Sequence, residues 1–242
     1  MVNQTTYNPW PLGNVPESLQ RPELKELHAK GYQFDDAREV IDIFERKLAK
    51  FADCKYAVTV DCCTHALELC FRYLFITREI QNNSIVIPDN TYISIYWMLV
   101  QLGMKPILMK QEWSGCYEFG GTRIIDAAVR WKEDMYLPDT VAGVPLQCVS
   151  FQIKKPLPIG RGGAILTNDE KAYQWLKLAR YDGRDMEIPY DQPRHIKMPG
   201  YHYYMTPEDA ARGILLMNMV KFSGDSANHT NYPSITEMIK DL

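Results

Sequence analysis

Ser150-Phe151-Gln152-Ile153-Lys154-Lys155 ends an apolar run in two adjacent lysines, and the glycine-rich segment Gly160-Arg161-Gly162-Gly163 follows directly. A lysine that only solubilises a surface needs no such frame. One that must reach a carbonyl carbon as a neutral amine needs burial and a fixed approach, and these are the requirements of a Schiff-base lysine. Upstream, Thr122-Arg123-Ile124-Ile125-Asp126-Ala127-Ala128 closes a second short apolar run with a carboxylate. Open α/β sheets keep their sites at the C-terminal ends of strands, where such an acid sits.

Other segments carry complementary chemistry. Asp61-Cys62-Cys63-Thr64-His65-Ala66-Leu67 lies where a strand gives way to a helix. The free first amides of that helix, with the Thr64 hydroxyl, make a phosphate site. Taken alone, Thr64 is an N-cap, and the vicinal Cys62 and Cys63 are packing residues because nothing nearby resolves or activates them. Tyr92, after Pro88-Asp89-Asn90-Thr91, offers a ring that can stack on a flat heterocycle, and taken alone it is equally a core aromatic. Asp126 alone would be a helix cap. Beside a pyridine nitrogen, a buried carboxylate keeps the ring protonated and makes it an electron sink. Ser150 can bond a phosphate, while Lys155 forms the imine and later serves as general acid and base. Lys154 is the rival lysine and is expected to be solvated. The set points to pyridoxal 5′-phosphate.

These residues are positioned by alternating elements. Val40, Ile41, Phe44, Leu48 and Phe51 recur at helical spacing between Arg38 and Phe51. Strand-like runs then cover Tyr56 to Val60, Ser84 to Ile87, Lys105 to Met109, Thr122 to Asp126 and Leu146 to Phe151, with Gly163 to Thr167 as a hairpin partner. Helices are expected over Thr64 to Ile76, Ser94 to Leu102 and Asp169 to Tyr181. Thr206-Pro207-Glu208-Asp209 starts a last helix that runs to about Val220, with a hydroxyl cap, proline at the first helical position and acids in the first turn. This alternation predicts an α/β fold of three layers, α/β/α, around a mostly parallel sheet. Residues 1–35, broken by Pro9, Pro11, Pro16 and Pro22, read as an N-terminal arm, and Ser223 to Leu242 as a tail too short for a domain.

Composition bounds the function. The 242 residues are 46% hydrophobic and 24% charged, with net charge -3. That is enough for one sizeable core and offers no basic field for nucleic acid. Neither a leader-like N-terminus nor a spanning segment is visible, and the six cysteines lack CxxC or His/Cys zinc spacing. Reduced thiols, a cytoplasmic location and no resident metal are the expectation.

In order and spacing, these motifs resemble the DegT/DnrJ/EryC1/StrS family of pyridoxal-phosphate sugar aminotransferases, of fold type I. That family runs from Ser-Gly-Thr, through a proline with threonine-aromatic and an acid before two small residues, to SFxxxK with GEGG. The resemblance extends from about Gly31 to Val220. It implies a cofactor-binding large domain over residues 36–220 and a C-terminal stub over 221–242 in place of the family's small closing domain. It also implies phosphate contacts from the Cys63 amide, Thr64 and Ser150, ring stacking by Tyr92, Asp126 at the pyridine nitrogen and Lys155 as the Schiff-base lysine. His202 stands where the family has an Asn that reaches the neighbouring subunit's phosphate, so it enters the cofactor-binding set, and a homodimer is implied.

The implied reaction moves an amino group from an amino acid such as glutamate to a keto sugar, typically nucleotide-linked. Departures are Cys62-Cys63 for Ser-Gly, Val129 three past the aspartate, Gln152 for the histidine of SFH, Arg161 for the acid of GEGG, and His202 and Tyr204 for Asn and Arg. They support an alternative, a non-catalytic relative that binds cofactor or nucleotide sugar as a partner or regulator. The retained Lys155 and Asp126 oppose it. A sugar dehydratase of the family would carry histidine at Lys155, and a nicotinamide fingerprint would open a helix, whereas the glycines at 160, 162 and 163 precede a strand.

Overall fold

The computed structural model describes residues 15–188, 192 and 194–241; the first fourteen residues of the expected arm, with Pro9 and Pro11, lie outside the described residues. Chain order runs α1 (Glu23–Ala29), α2 (Glu39–Ala52), β1 (Tyr56–Val60), α3 (Cys63–Ile76), β2 (Ser84–Pro88), α4 (Ile93–Gln101) and β3 (Lys105–Met109). It continues with β4 (Tyr117–Glu118), β5 (Ile124–Asp126), β6 (Arg130–Trp131), β7 (Leu146–Ser150) and β8 (Gly163–Thr167). The last elements are α5 (Glu170–Ala179), α6 (Pro207–Met217), β9 (Gly224–Asp225) and α7 (Ile235–Ile239).

The main sheet has the order β1-β8-β7-β5-β4. β8 is antiparallel to both β1 and β7, and β5 is parallel to β7, so β1, β5 and β7 share one direction. The parallel pair β2 and β3 joins through a bridge from Val86 to Gly120 and runs the same way. Only β8 and the two-residue β4 are reversed within this assembly, which is the mostly parallel sheet expected from the alternation. Strands β1, β5, β7 and β8 are buried on both faces, whereas β3 at the edge is exposed. Val58, Ile124, Cys148 and Ile165 pack with α3, α4 and α5, while Ala57, Ile125, Val149 and Leu166 pack with α1, α2 and α6. This period of two, read against helices on either side, gives the three layers.

Local chemistry explains the boundaries. α6 begins where expected, with Pro207 in its first turn and Thr206 Oγ1 accepting from the Asp209 amide at 3.2 Å. α2 ends at Asp53 in the left-handed region, φ 58°. Behind β1, Glu45 accepts from the Thr59 amide at 2.7 Å and pairs with Arg180 and Lys177. Burial raises its pKa, but Arg180 and then Lys177 outweigh that and hold the carboxyl below its ordinary value. This charged knot ties α2, β1 and α5 together just before the turn into α3.

Both chain ends add detail to the sequence reading. Within residues 15–35, α1 forms and its fully buried Leu27 joins the core beneath α6. The chain beyond Val220 packs onto the body. β9 pairs with β6, Ile235 of α7 is fully buried, and the segment folds back over the loop after β2. Among the described residues, no helix is long and apolar enough to cross a membrane.

Candidate active site

The start of α3 faces the start of β8. Gly163 makes this approach possible, since a Cβ there would lie 2.6 Å from the Cys63 nitrogen. The N-cap is Cys62, with extended backbone and its Sγ accepting from the His65 amide at 3.5 Å, rather than Thr64. Thr64 instead sits inside the helix and meets Ser94 Oγ at 3.0 Å across the cleft wall. Free amides at a positive helix end, with two hydroxyls beside them, therefore open onto one space.

Asp126 ends β5 and is only 6% exposed. It caps no helix. Its Oδ1 accepts from the Ala128 amide at 3.0 Å, and its Oδ2 accepts from the Tyr117 hydroxyl at 2.8 Å. Burial pushes this carboxyl above its ordinary value, against those two donors and the nearby Lys155 ammonium. Loss of solvent likewise raises the Cys63 thiol well above its usual value, with Asp126 adding to the shift and Lys155 opposing it.

Lys155 follows β7 in a turn pinned from both sides. Phe151, fully buried, donates its amide to Gly162 at 2.9 Å and accepts from Gly160 at 3.0 Å. The Lys155 amide closes on Gln152 O at 2.8 Å. Lys155 is half-buried, whereas Lys154 is exposed as expected.

These groups share a cleft of about 620 Å³ whose walls include Cys63, Thr64, Tyr92, Asp126, Ser150 and Lys155. Its size suits a cofactor with a small substrate. Tyr92 is 59% exposed, so it is a wall of the cleft and not a core aromatic. Val129 and Gln152 also line the space. Arg161 reaches back to Asp61, donating to its carboxylate at 3.1 Å and its carbonyl at 3.2 Å. Asp61 also holds His65 at 2.5 Å. Burial opposes the imidazolium, but the bond to Asp61 prevails and the His65 pKa rises to about 10. Asp61, Cys62 and His65 offer ligand atoms within 4.8 Å of one another. With Asp61 shared between two cations, that corner favours an anion over a metal.

Of the expected set, only His202 stands apart from the cleft. Its side chain is 69% exposed and pairs with Asp182 at 3.1 Å. The sequence reading missed residues from the tail: Ser226, Ala227, Asn231 and Tyr232 complete one wall. Asp89 latches this tail, accepting from Ser234 Oγ at 2.6 Å and from the Thr236 amide and hydroxyl at 2.8 Å each. Asp89→Ala should weaken the latch by about 1 to 3 kcal/mol. Hydrogen exchange at residues 226–236 then accelerates about tenfold or more while β7 and β8 keep their protection. Equal protection in both proteins would show that the tail's other contacts, such as Asn90 Nδ2 donating to Tyr232 O at 2.9 Å, hold it without the Asp89 carboxylate.

A family model described as the DegT/DnrJ/EryC1/StrS aminotransferase family matches residues 21–114 and 141–236. The unmatched interval contains the β4–β5 hairpin and Asp126. No curated protein sequence matches the chain. Among solved structures, AtS13 from Actinomadura melliaura is similar with a TM-score of 0.62 and 17% identity, over 82% of this chain and 64% of that one. An E. coli GDP-4-keto-6-deoxy-D-mannose-3-dehydratase with bound hydrated PLP gives 0.62, 17%, 82% and 64%. Helicobacter pylori PseC, an aminotransferase involved in the biosynthesis of pseudoaminic acid, gives 0.59, 15%, 84% and 64%. At such identities the likeness is one of fold, and the chain spans less than two thirds of each neighbour. The family match is broader, taking in well over half of the residues and running through both the α3 start and the Ser150–Lys155 segment; the chain belongs to the DegT/DnrJ/EryC1/StrS aminotransferase family.

Proposed function

We propose that the cleft holds pyridoxal 5′-phosphate and that the protein transfers an amino group from an amino acid, glutamate in the first instance, to a nucleotide-linked keto sugar. One observation carries this reading: Lys155 and Asp126 arrive from two different strand ends at one cleft, close enough for the lysine's charge to bear on the carboxylate. A binding scaffold needs neither group there. The donor set also fits the cofactor, with amides and hydroxyls at the α3 end for a phosphate, a nucleophilic amine, and a buried acid for a ring nitrogen.

The cofactor, when bound, supplies the electron sink for carbanion chemistry at the amine-bearing carbon. The protein's part is placement. The Cys63 amide with Thr64 and Ser150 holds the phosphate, and Tyr92 covers one ring face. Asp126 keeps the proton on the ring nitrogen. Lys155 Nζ, once free, carries the proton to and from the substrate carbon. The exposed His202 would serve the neighbouring subunit of a homodimer. The neighbours' sugar chemistry supports the acceptor class.

The test loads the purified protein with pyridoxal phosphate and adds glutamate. The expected products are 2-oxoglutarate and cofactor recovered as its amine, with the aldehyde form restored by a nucleotide-linked keto sugar. Bound cofactor that no amino acid converts would overturn the aminotransferase reading.

A further inference from the structure

Tyr117 lies in the interval the family model leaves unmatched, and its position follows from a short hairpin. β4 and β5 are antiparallel and pair Tyr117 with Asp126 across a reversal at Gly120-Gly121. The reversal is tight: Gly121 has φ 77°, and a Cβ at Gly120 would meet Val86 Cβ at 2.8 Å. Tyr117 is 5% exposed and Thr91 2% exposed. The Tyr117 hydroxyl lies 2.8 Å from Asp126 Oδ2 and 2.8 Å from Thr91 Oγ1. The carboxylate can only accept, so Tyr117 donates to Asp126 and Thr91 donates to Tyr117. The result is a directed chain, Thr91 to Tyr117 to Asp126, shut away from water.

We propose that Tyr117, backed by Thr91, is a positioning residue that lowers the basicity of Asp126 so that a proton shared with the cofactor's ring nitrogen stays on the ring. This rests on the cofactor reading above. A buried carboxylate left to itself is a stronger base than one in water and would draw that proton to itself. Each donor aimed at its oxygens works in the opposite direction. Ala128 supplies one and Tyr117 the other, and the bond from Thr91 polarises the phenol into a better donor.

The remaining neighbours cannot substitute. Cys63 from α3, Cys116 before β4, Cys148 from β7 and Tyr232 from the tail all feel the charge of Asp126, and burial raises the pKa of each, so all are neutral at pH 7. Among the described residues, Lys155 is the one charged group whose effect on Asp126 is felt. Its amine would be engaged when the cofactor is held, whereas the bonds from Ala128 and Tyr117 stay fixed on the carboxylate. Among the protein's own groups, those two hydrogen bonds are the fixed restraint on the carboxylate.

Tyr117→Phe removes the hydroxyl and keeps the ring against Trp113 and Phe119. In the cofactor-free protein, the Asp126 carboxyl carbon, followed by 13C NMR, should titrate about one pH unit higher than in the wild type. With ring-15N pyridoxal phosphate bound, the nitrogen resonance should move toward that of neutral pyridine. Thr91→Val should shift both readouts the same way by less, a grading that a merely structural role would not produce. If both readouts in Tyr117→Phe coincide with the wild type while cofactor still binds, the role of Tyr117 is overturned and the cofactor reading stands. A wild type that takes up no cofactor overturns both.

Discussion

Lys155→Ala should leave a protein that still folds but forms no borohydride-trappable bond to pyridoxal phosphate, with transamination reduced about 10³-fold or more. That scale is expected when a nucleophile that also moves the proton is lost. Lys154→Ala should retain both properties. The two residues are adjacent, so the distinction comes from geometry. Gln152 fixes the turn twice, its carbonyl accepting from the Lys155 amide at 2.8 Å and its Oε1 from the Lys154 amide at 2.7 Å. Within that turn Lys154 is exposed, whereas Lys155 is half-buried and its charge favours the ionised forms of Asp126 and Cys63. The fully buried Leu157 and the nearly buried Ile159 hold the far side of the loop. Neither lysine is part of the core, so both variants should melt close to the wild type. Peptide mapping after reduction gives the answer directly. A cofactor adduct on the peptide from Lys155→Ala, or its loss only in Lys154→Ala, would reverse the assignment.

The framework was legible where a short segment carries its own reason to be regular. Tyr56 to Val60 and Lys105 to Met109 are strands with the expected bounds, and the Thr206-Pro207 start of α6 is capped as its residue types demand. Lys155 and Asp126 were legible because a strand end and a glycine-rich loop frame them locally. Cys62 was not, since capping preferences point to Ser, Thr, Asp or Asn, and the sulfur takes the place of a hydroxyl. Tyr117 was missed because its partner comes from pairing across a hairpin. A signal existed in the alternation Tyr117-Glu118-Phe119 before Gly120-Gly121, which is hairpin chemistry with very short strands. The tail wall had no comparable signal. Its anchors are polar bonds between Asp89 and residues 145 and 147 positions away, and neither hydrophobic period nor turn chemistry encodes such a meeting. Asp126, which read alone would be a helix cap, has no helix to cap, because the chain after it goes into β6.

Asp126→Asn should cut transamination on the order of 10² to 10³-fold, the scale set by removing one preorganised electrostatic contact. The same variant should be at least as stable as the wild type at neutral pH. The two effects have one cause. Asp126 is 6% exposed, and burial raises its pKa above the unfolded value despite Ala128, Tyr117 and Lys155. For an acid whose folded pKa is raised, folding favours the protonated form. Above the folded pKa the ionised carboxyl therefore subtracts from stability, and below the unfolded pKa the penalty is gone. The neutral amide never bears it. The melting temperature of Asp126→Asn minus that of the wild type should thus be largest at pH 7 and shrink as pH falls through the carboxyl's titration. Tyr117 keeps an acceptor in the amide oxygen, while the amide's N–H₂ faces the Ala128 N–H, so a constant offset independent of pH is expected on top. A difference that instead grows on acidification would mean that Lys155 holds Asp126 as a stabilising ion pair. In that case the charge at the strand end would be structural, and the loss of activity would follow from a displaced lysine instead of from a ring nitrogen left without its acid.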